Sequence, residues 1–160
     1  MSSVALENPE IVSKIAERVG NQSVVVVLDV KKRITDGKYE IFKQNGKINT
    51  GKCPIEFSKT MEMQGAGEIV INSIDNDGIM KGYDLALVDK IRKSITLPLT
   101  VLGGAGSLKD IEHLINKYCV IGAAAGSLFV FKGIYRAVLI NYPSKSEKDI
   151  LLKSSMSRVL

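Results

Sequence analysis

The chain has 160 residues, of which 45% are hydrophobic and 24% are charged. This length and composition predict one globular domain with a buried core and exclude a disordered chain. No apolar run approaches the ~20 residues of a membrane span, and the first residues do not form a signal peptide. We therefore expect a cytoplasmic protein with no membrane partner. Cys53 and Cys119 lack a CxxC partner, which favours reduced, structural thiols.

The formal net charge of +5 is concentrated in one stretch of the chain. Residues 31–52 contain seven lysines and arginines but only two acids, Asp36 and Glu40. Such a segment either attracts an anionic ligand or nucleic acid, or forms a solvated hairpin whose lysines protect its edges. Because Tyr39 and Phe42 are the only aromatic residues there, we expect no nucleic-acid partner.

The order of predicted elements begins with a helix over residues 7–20. Asn8 can cap this helix, Pro9 suits its first turn and Gly20 ends it. Asn45-Gly46, between two short polar and apolar segments, predicts a β-hairpin. Further helices are predicted over residues 55–64, 84–94, 108–117 and 129–140, and strands over residues 24–29, 68–74, 98–102 and 120–125.

The first strand is a continuous apolar run, residues 24–28, closed by Asp29. A run of this kind is typical of a strand buried on both faces in a parallel sheet. Alternation of strands and helices predicts an α/β fold, either an open doubly wound sheet or part of a (β/α)₈ barrel. We assign residues 1–143 to this domain and residues 144–160 to a polar tail that frays or docks weakly.

Three successive strand ends carry glycines that a phosphate site would need. They are Asp77-Gly78, Gly103-Gly104 and Gly126-Ser127. Each alone is typical of a turn, but all three together favour an anion site, because glycine lets the backbone approach an anion. Ser107 and Asp110 predict a helix start directly after the second of these loops.

The remaining polar residues are weaker candidates for a functional site. Asp29 is either a general acid or base, or a turn and capping residue, and the sequence alone does not separate these alternatives. Residues 73–84 only partly match a calcium loop. His113 is predicted to face solvent. We expect no metal ion and no cofactor.

Five segments in order resemble one enzyme family. They are Val24–Lys31, Gly46–Gly51, Gly65–Glu68, Ser73–Asp84 and Gly103–Gly106. Together they resemble the cyclase subunit of imidazole glycerol phosphate synthase, a (β/α)₈ barrel, but only its C-terminal half. The resemblance implies half of a TIM barrel, with strands equivalent to the fifth to eighth, completed by homodimerisation.

The resemblance also implies a chemistry. The family reaction is an ammonia-dependent lyase and cyclase step of histidine biosynthesis, with ammonia supplied by a partner glutaminase. By resemblance, Asp29 is the catalytic aspartate of the fifth strand, and Glu68 lies at the ammonia entrance. The resemblance places one phosphate of a phosphorylated small molecule on Asp77, Gly78, Gly103, Gly104, Gly126 and Ser127.

Some positions depart from the family pattern. The first-strand catalytic aspartate falls outside the part of the barrel that the chain resembles, so a lone chain is expected to be weak or inactive. Asn72 and Leu102 stand where small hydroxyl residues are expected. The segment Gly122–Phe131 resembles paralogues associated with surface-polysaccharide amidotransferases. The alternative is therefore a non-catalytic phosphate-binding module, or a truncated component of such a system.

Overall fold

The structure is a computed structural model that describes residues 2–133 and 135–156. Within these ranges the chain forms seven α-helices and eight strands. The helices are α1 Ser3–Glu7, α2 Glu10–Val19, α3 Pro54–Met63, α4 Leu85–Arg92, α5 Leu108–Tyr118, α6 Ser127–Val130 and α7 Lys145–Met156, with a 3₁₀ turn at Asn21–Ser23. The strands are β1 Val25–Lys32, β2 Tyr39–Lys43, β3 Ile48–Asn49, β4 Glu68–Ser73, β5 Leu99–Leu102, β6 Gly122–Ala123, β7 Phe131–Lys132 and β8 Ala137–Val138.

Six strands form one sheet in the order β3-β2-β1-β4-β5-β6. The strands β1, β4, β5 and β6 are parallel, whereas the β2–β3 hairpin is antiparallel. The α/β class with a mostly parallel sheet is thus confirmed. The hairpin predicted at Asn45-Gly46 is confirmed, with both residues at positive φ. Gln44 also has positive φ, which the sequence did not predict.

Local signals fix several helix ends as expected. The Asp84 carboxylate accepts a hydrogen bond from the Leu87 N–H at 3.0 Å and caps α4. Ser107 and Asp110 form a capping box at the start of α5. The first predicted helix is shorter than expected: Asn8 ends the short helix α1, and α2 begins after Pro9. The sequence pattern did not predict α1.

The four parallel strands bury only one face. In β1 the side chains of Val26, Leu28 and Val30 are buried, while their neighbours are only partly buried. The same alternation occurs in β4 and β5. The prediction that β1 is buried on both faces is therefore wrong for this chain, because the helices cover one side of the sheet only. We call the other side the open face; it carries Val25, Val27, Asp29, Glu68, Val70, Asn72, Thr100 and Leu102.

The C-terminal region differs most from prediction. The helix predicted over residues 129–140 is wrong: α6 ends at Val130, and the β7–β8 hairpin follows. The turn after β7 needs Gly133 at positive φ, which a helix excludes. Ile134, part of the predicted helix, lies outside the described residues. The fourth predicted strand shortens to Gly122–Ala123.

The tail contains a helix, α7, which packs against α5. A cavity of about 220 Å³ lies between them. No helix within the described ranges has the length and apolar character to cross a membrane.

Tyr83 links the loop before α4 to the residue that follows β6, the last strand of the sheet. Its side chain is 8% exposed, and its hydroxyl donates to the Ala124 carbonyl at 2.9 Å. Burial, and then the negative charge of Asp110, raise the pKa of Tyr83 from 10.0 to about 12. The folded state therefore favours the neutral phenol.

We predict that Tyr83 contributes stability that is present below pH 10 and is lost as the pH rises from about 10 to about 12, because the unfolded phenol ionises first. Tyr83→Phe should lower the free energy of unfolding at pH 7 by about 1 kcal/mol and flatten its decline above pH 10. Urea unfolding followed by circular dichroism from pH 7 to 11.5 measures both effects. Tyr142→Phe, at a 65% exposed side chain, is the pH 7 control and should change the free energy by less than about 0.5 kcal/mol. An unchanged alkaline decline in Tyr83→Phe would contradict the prediction.

Candidate functional site

Asp29 lies on the open face at the carboxyl end of the parallel strands. It is in register with Asn72 on β4, which in turn pairs with Leu102, the last residue of β5. The strand β1 continues past Asp29 to Lys32, so the prediction that Asp29 closes the strand is wrong. The reason is that the hairpin strand β2 pairs with β1 from Asp29 to Lys32 and prolongs it.

Asn72 holds the Asp29 carboxylate in place. The Asn72 side-chain amide donates to Asp29 Oδ1 at 2.9 Å. The other polar atom of this side chain, Oδ1, is buried and has no hydrogen-bond partner within the described residues. A buried acceptor without a donor is costly.

Glu68 lies on the same face at the opposite, amino end of β4. Asn72 follows four positions after it, which corresponds to ~13 Å along a strand. Thr100 donates its hydroxyl hydrogen to Glu68 Oε1 at 2.6 Å. Val27 and Val70, paired in register, lie between the two polar ends. The open face thus has an acid at each end and an apolar middle.

The three glycine loops meet at the carboxyl edge of the sheet. A Cβ atom added to Gly78 would lie 3.9 Å from Ser127 Oγ, so the first and third loops face each other. At Gly104 a Cβ atom would lie 2.1 Å from the Gly82 carbonyl oxygen, and the Gly82 N–H donates to the Gly104 carbonyl at 2.8 Å. Gly104 is therefore required for the contact between two loops. At Gly126 an added Cβ would meet open space.

Backbone N–H groups remain available at this edge. Within the described residues, no hydrogen bond uses the N–H of Gly78, Gly104 or Gly126 as donor. Gly104 is buried, and a buried N–H without an acceptor is rare. We define the glycine edge as Asp77, Gly78, Gly103, Gly104, Gly126 and Ser127.

A carboxylate of α5 binds the residues that lead into this helix. The N–H groups of Gly106 and Ser107 both donate to Asp110 Oδ2 at 2.9 Å. The Ser107 hydroxyl donates to the same oxygen at 3.0 Å. The N–H groups of Gly106 and of the N-cap residue Ser107, which precede the first turn of α5, therefore already have an anionic acceptor.

The basic hairpin forms its own ion pairs. The Arg33 guanidinium donates to Asp36 and to Glu40, and it lowers the pKa of the Asp36 carboxyl to about 2. Lys43 pairs with Glu7 at 2.8 Å. A cavity of about 310 Å³ borders Arg33, Lys38 and other hairpin residues, but it includes no residue of the glycine edge. This geometry favours the solvated-hairpin interpretation.

His113 is exposed on α5, as predicted. The sequence did not indicate Asn72 as the partner of Asp29, nor Arg136 as a neighbour of the glycine edge. The Arg136 guanidinium donates to the Gly78 carbonyl at 3.2 Å. No local signal could reveal it, because a helix was predicted at residue 136 and the partner lies 58 residues away.

Comparison with known proteins connects this chain to a family. The family model described as "Histidine biosynthesis protein" matches residues 1–135. The "Putative imidazole glycerol phosphate synthase subunit hisF3" of Vibrio vulnificus is 57% identical over 153 residues, which are 96% of this chain and 59% of that protein.

Two further relatives show the same coverage. The similarly named HisF subunit of Leptospira interrogans is 52% identical over 94% of this chain and 59% of its own length. "Imidazole glycerol phosphate synthase subunit HisF" of Clostridium botulinum (strain 657 / Type Ba4) is 38% identical over 95% of this chain and 60% of its own length. The chain thus spans about three fifths of the curated relatives that it matches. It belongs to the histidine biosynthesis protein family and is homologous to the HisF subunits of imidazole glycerol phosphate synthase.

Proposed function

We propose that the glycine edge binds the phosphate group of a phosphorylated sugar or nucleotide. The observation that carries the proposal is that the N–H groups of Gly78, Gly104 and Gly126, on loops that meet at one edge, have no acceptor within the part of the chain that the structure describes. Phosphate oxygens are strong acceptors and satisfy such donors. Ser127 adds a hydroxyl facing Gly78. The loops after the last two strands are also the usual phosphate position in (β/α)₈ barrels.

We predict that Ser127→Asp weakens the binding of inorganic phosphate at least tenfold, because it brings a negative charge to the anion site. Isothermal titration calorimetry measures this affinity, and thermal unfolding measures the accompanying protection. Ser23→Asp makes the same change at an exposed residue at the opposite, amino end of the strands, so it should bind like the unmodified chain. Equal affinity in both variants would contradict the assignment of the site.

We also propose that the sheet is half of a barrel and that a second copy completes it. β6 has a neighbour on one side only within the described residues, and β2 covers β1 only from Asp29 to Lys32. The open face has an apolar middle, including Val27 and Val70, which favours burial against another sheet. A two-fold assembly would use the same surface on both copies.

We predict a mass of twice 17.4 kDa by light scattering on a sizing column. Val70→Lys should give the mass of one chain, because it places a charge in the middle of the proposed interior. Val19→Lys, at a 51% exposed valine on α2, should keep the double mass. A single-chain mass for the unmodified protein would contradict completion by a second copy.

The reaction class that we propose is an ammonia-dependent lyase and cyclase step, with a glutaminase as partner. Support comes from the homology to HisF subunits and from the open face, where Glu68 and Asp29 lie at opposite ends of an apolar strip. Asp29 would serve as acid or base, positioned by Asn72. Because the resemblance supplies only one of the two catalytic aspartates, the lone chain is expected to be weakly active or inactive.

We predict that any imidazole glycerol phosphate formed by the assembled protein with ammonium salts is reduced at least ~100-fold by Asp29→Asn, which removes the ionisable group. Product formation followed by chromatography measures this change. Asp149→Asn, on α7 away from the sheet, is the control and should keep the activity. Turnover unchanged by Asp29→Asn would remove this residue from the mechanism.

One observation favours a second function. Asn72 and Leu102 lie side by side in register on the open face, where the resemblance leads us to expect hydroxyl residues. Side chains without a hydroxyl group at these two positions suit a substrate other than that of the resembled enzyme. The second candidate is therefore a non-catalytic phosphate-binding module, or a component of a surface-sugar amidotransferase system. Phosphate binding without product formation would distinguish it from the first.

A further inference from the structure

The β7–β8 hairpin places a cation beside the glycine edge. Arg136 lies in the hairpin turn, and its Nη2 donates to the Gly78 carbonyl oxygen at 3.2 Å. The guanidinium carbon lies 4.8 Å from the centre of the Phe131 ring, which is a cation–π distance. Two contacts thus fix the direction of this side chain.

The hairpin is attached to the segment that carries Ser127. The Leu139 N–H donates to the Val130 carbonyl at 2.9 Å, and the Asn141 N–H donates to the Phe129 carbonyl at 2.8 Å. Both acceptors belong to α6, whose first residue is Ser127. Arg136 and Ser127 are therefore held by one structural unit, and both approach Gly78.

No carboxylate of the described residues forms an ion pair with Arg136. None of the ion pairs formed by residues 2–133 and 135–156 includes Arg136. A guanidinium has five N–H donors, and the single hydrogen bond recorded for the Arg136 side chain in that part of the chain uses one. The remaining donors suit a planar, two-point contact with a phosphate.

The backbone of Arg136 also has an uncommon conformation. Its φ of +49° lies in the left-handed region, which a residue with a side chain adopts at a cost. The contacts to Gly78 and Phe131 offset this cost, and the result is a cation directed at the glycine edge.

We propose that Arg136 binds the phosphate of the ligand and supplies the positive charge that the glycine edge itself lacks. This inference rests on the proposed phosphate site. The glycine loops offer N–H donors but no cation, and Asp77 adds a negative charge. With Arg136, the site favours a doubly charged phosphate monoester over neutral sugars and singly charged ligands.

The test compares three variants with the unmodified protein by calorimetric titration with inorganic phosphate. Arg136→Ala removes the charge and all side-chain donors, whereas Arg136→Gln removes the charge but keeps an amide group with two N–H donors. Lys132→Ala is the control, since it removes one positive charge from the same hairpin at the position next to Phe131, where side chains alternate between faces. Circular dichroism and the melting temperature without phosphate verify that each variant is folded.

We expect both Arg136 variants to bind phosphate at least ~10-fold more weakly, because a charge-assisted contact is lost, and Lys132→Ala to stay within ~2-fold. Wild-type affinity in Arg136→Gln would show that the charge does not contribute and would overturn the inference. Wild-type affinity in both Arg136 variants would overturn it as well. If Ser127→Asp abolishes binding in these same conditions, the proposed site stands and only the role of Arg136 fails. If the unmodified protein does not bind phosphate, the proposed site fails and this inference fails with it.

Discussion

Parallel pairing of four strands is the constraint on which the rest of this structure depends. It aligns the carboxyl ends of β1, β4, β5 and β6, so that loops distant in sequence share one edge. It also requires helical crossovers, which cover one face of the sheet and leave the other open. Both proposed features, the glycine edge and the open face, follow from this single arrangement.

The open face combines two requirements that usually conflict. Its polar residues need hydrogen-bond partners, and its apolar residues need burial. The side-chain pairs Asn72–Asp29 and Thr100–Glu68 satisfy most of the polar groups within the sheet. The apolar side chains between these pairs are only partly buried within the described residues. Completion of the barrel would bury them, which is why it is central to the proposed function.

Glycine at the carboxyl edge has more than one physical role. At Gly104 the missing Cβ permits a close contact between two loops, whereas at Gly126 the space is open to solvent. The capping carboxylate of Asp110 occupies the N–H groups of Gly106 and Ser107, which precede α5. The proposed phosphate contacts therefore come from the amides of the glycine edge and from Arg136 rather than from Gly106 and Ser107. A glycine-rich sequence alone does not separate these roles.

Local patterns in the sequence determined the α/β class, the hairpin at Asn45-Gly46 and the ends of α4 and α5, because caps, turns and apolar periodicity act over a few residues. The resemblance to a family identified the candidate residues. Only the tertiary structure decided that β1 buries one face, that β7 and β8 pair as a hairpin, and that Arg136 reaches Gly78. These features depend on contacts between residues far apart in the chain, and for such contacts local propensity supplies no signal.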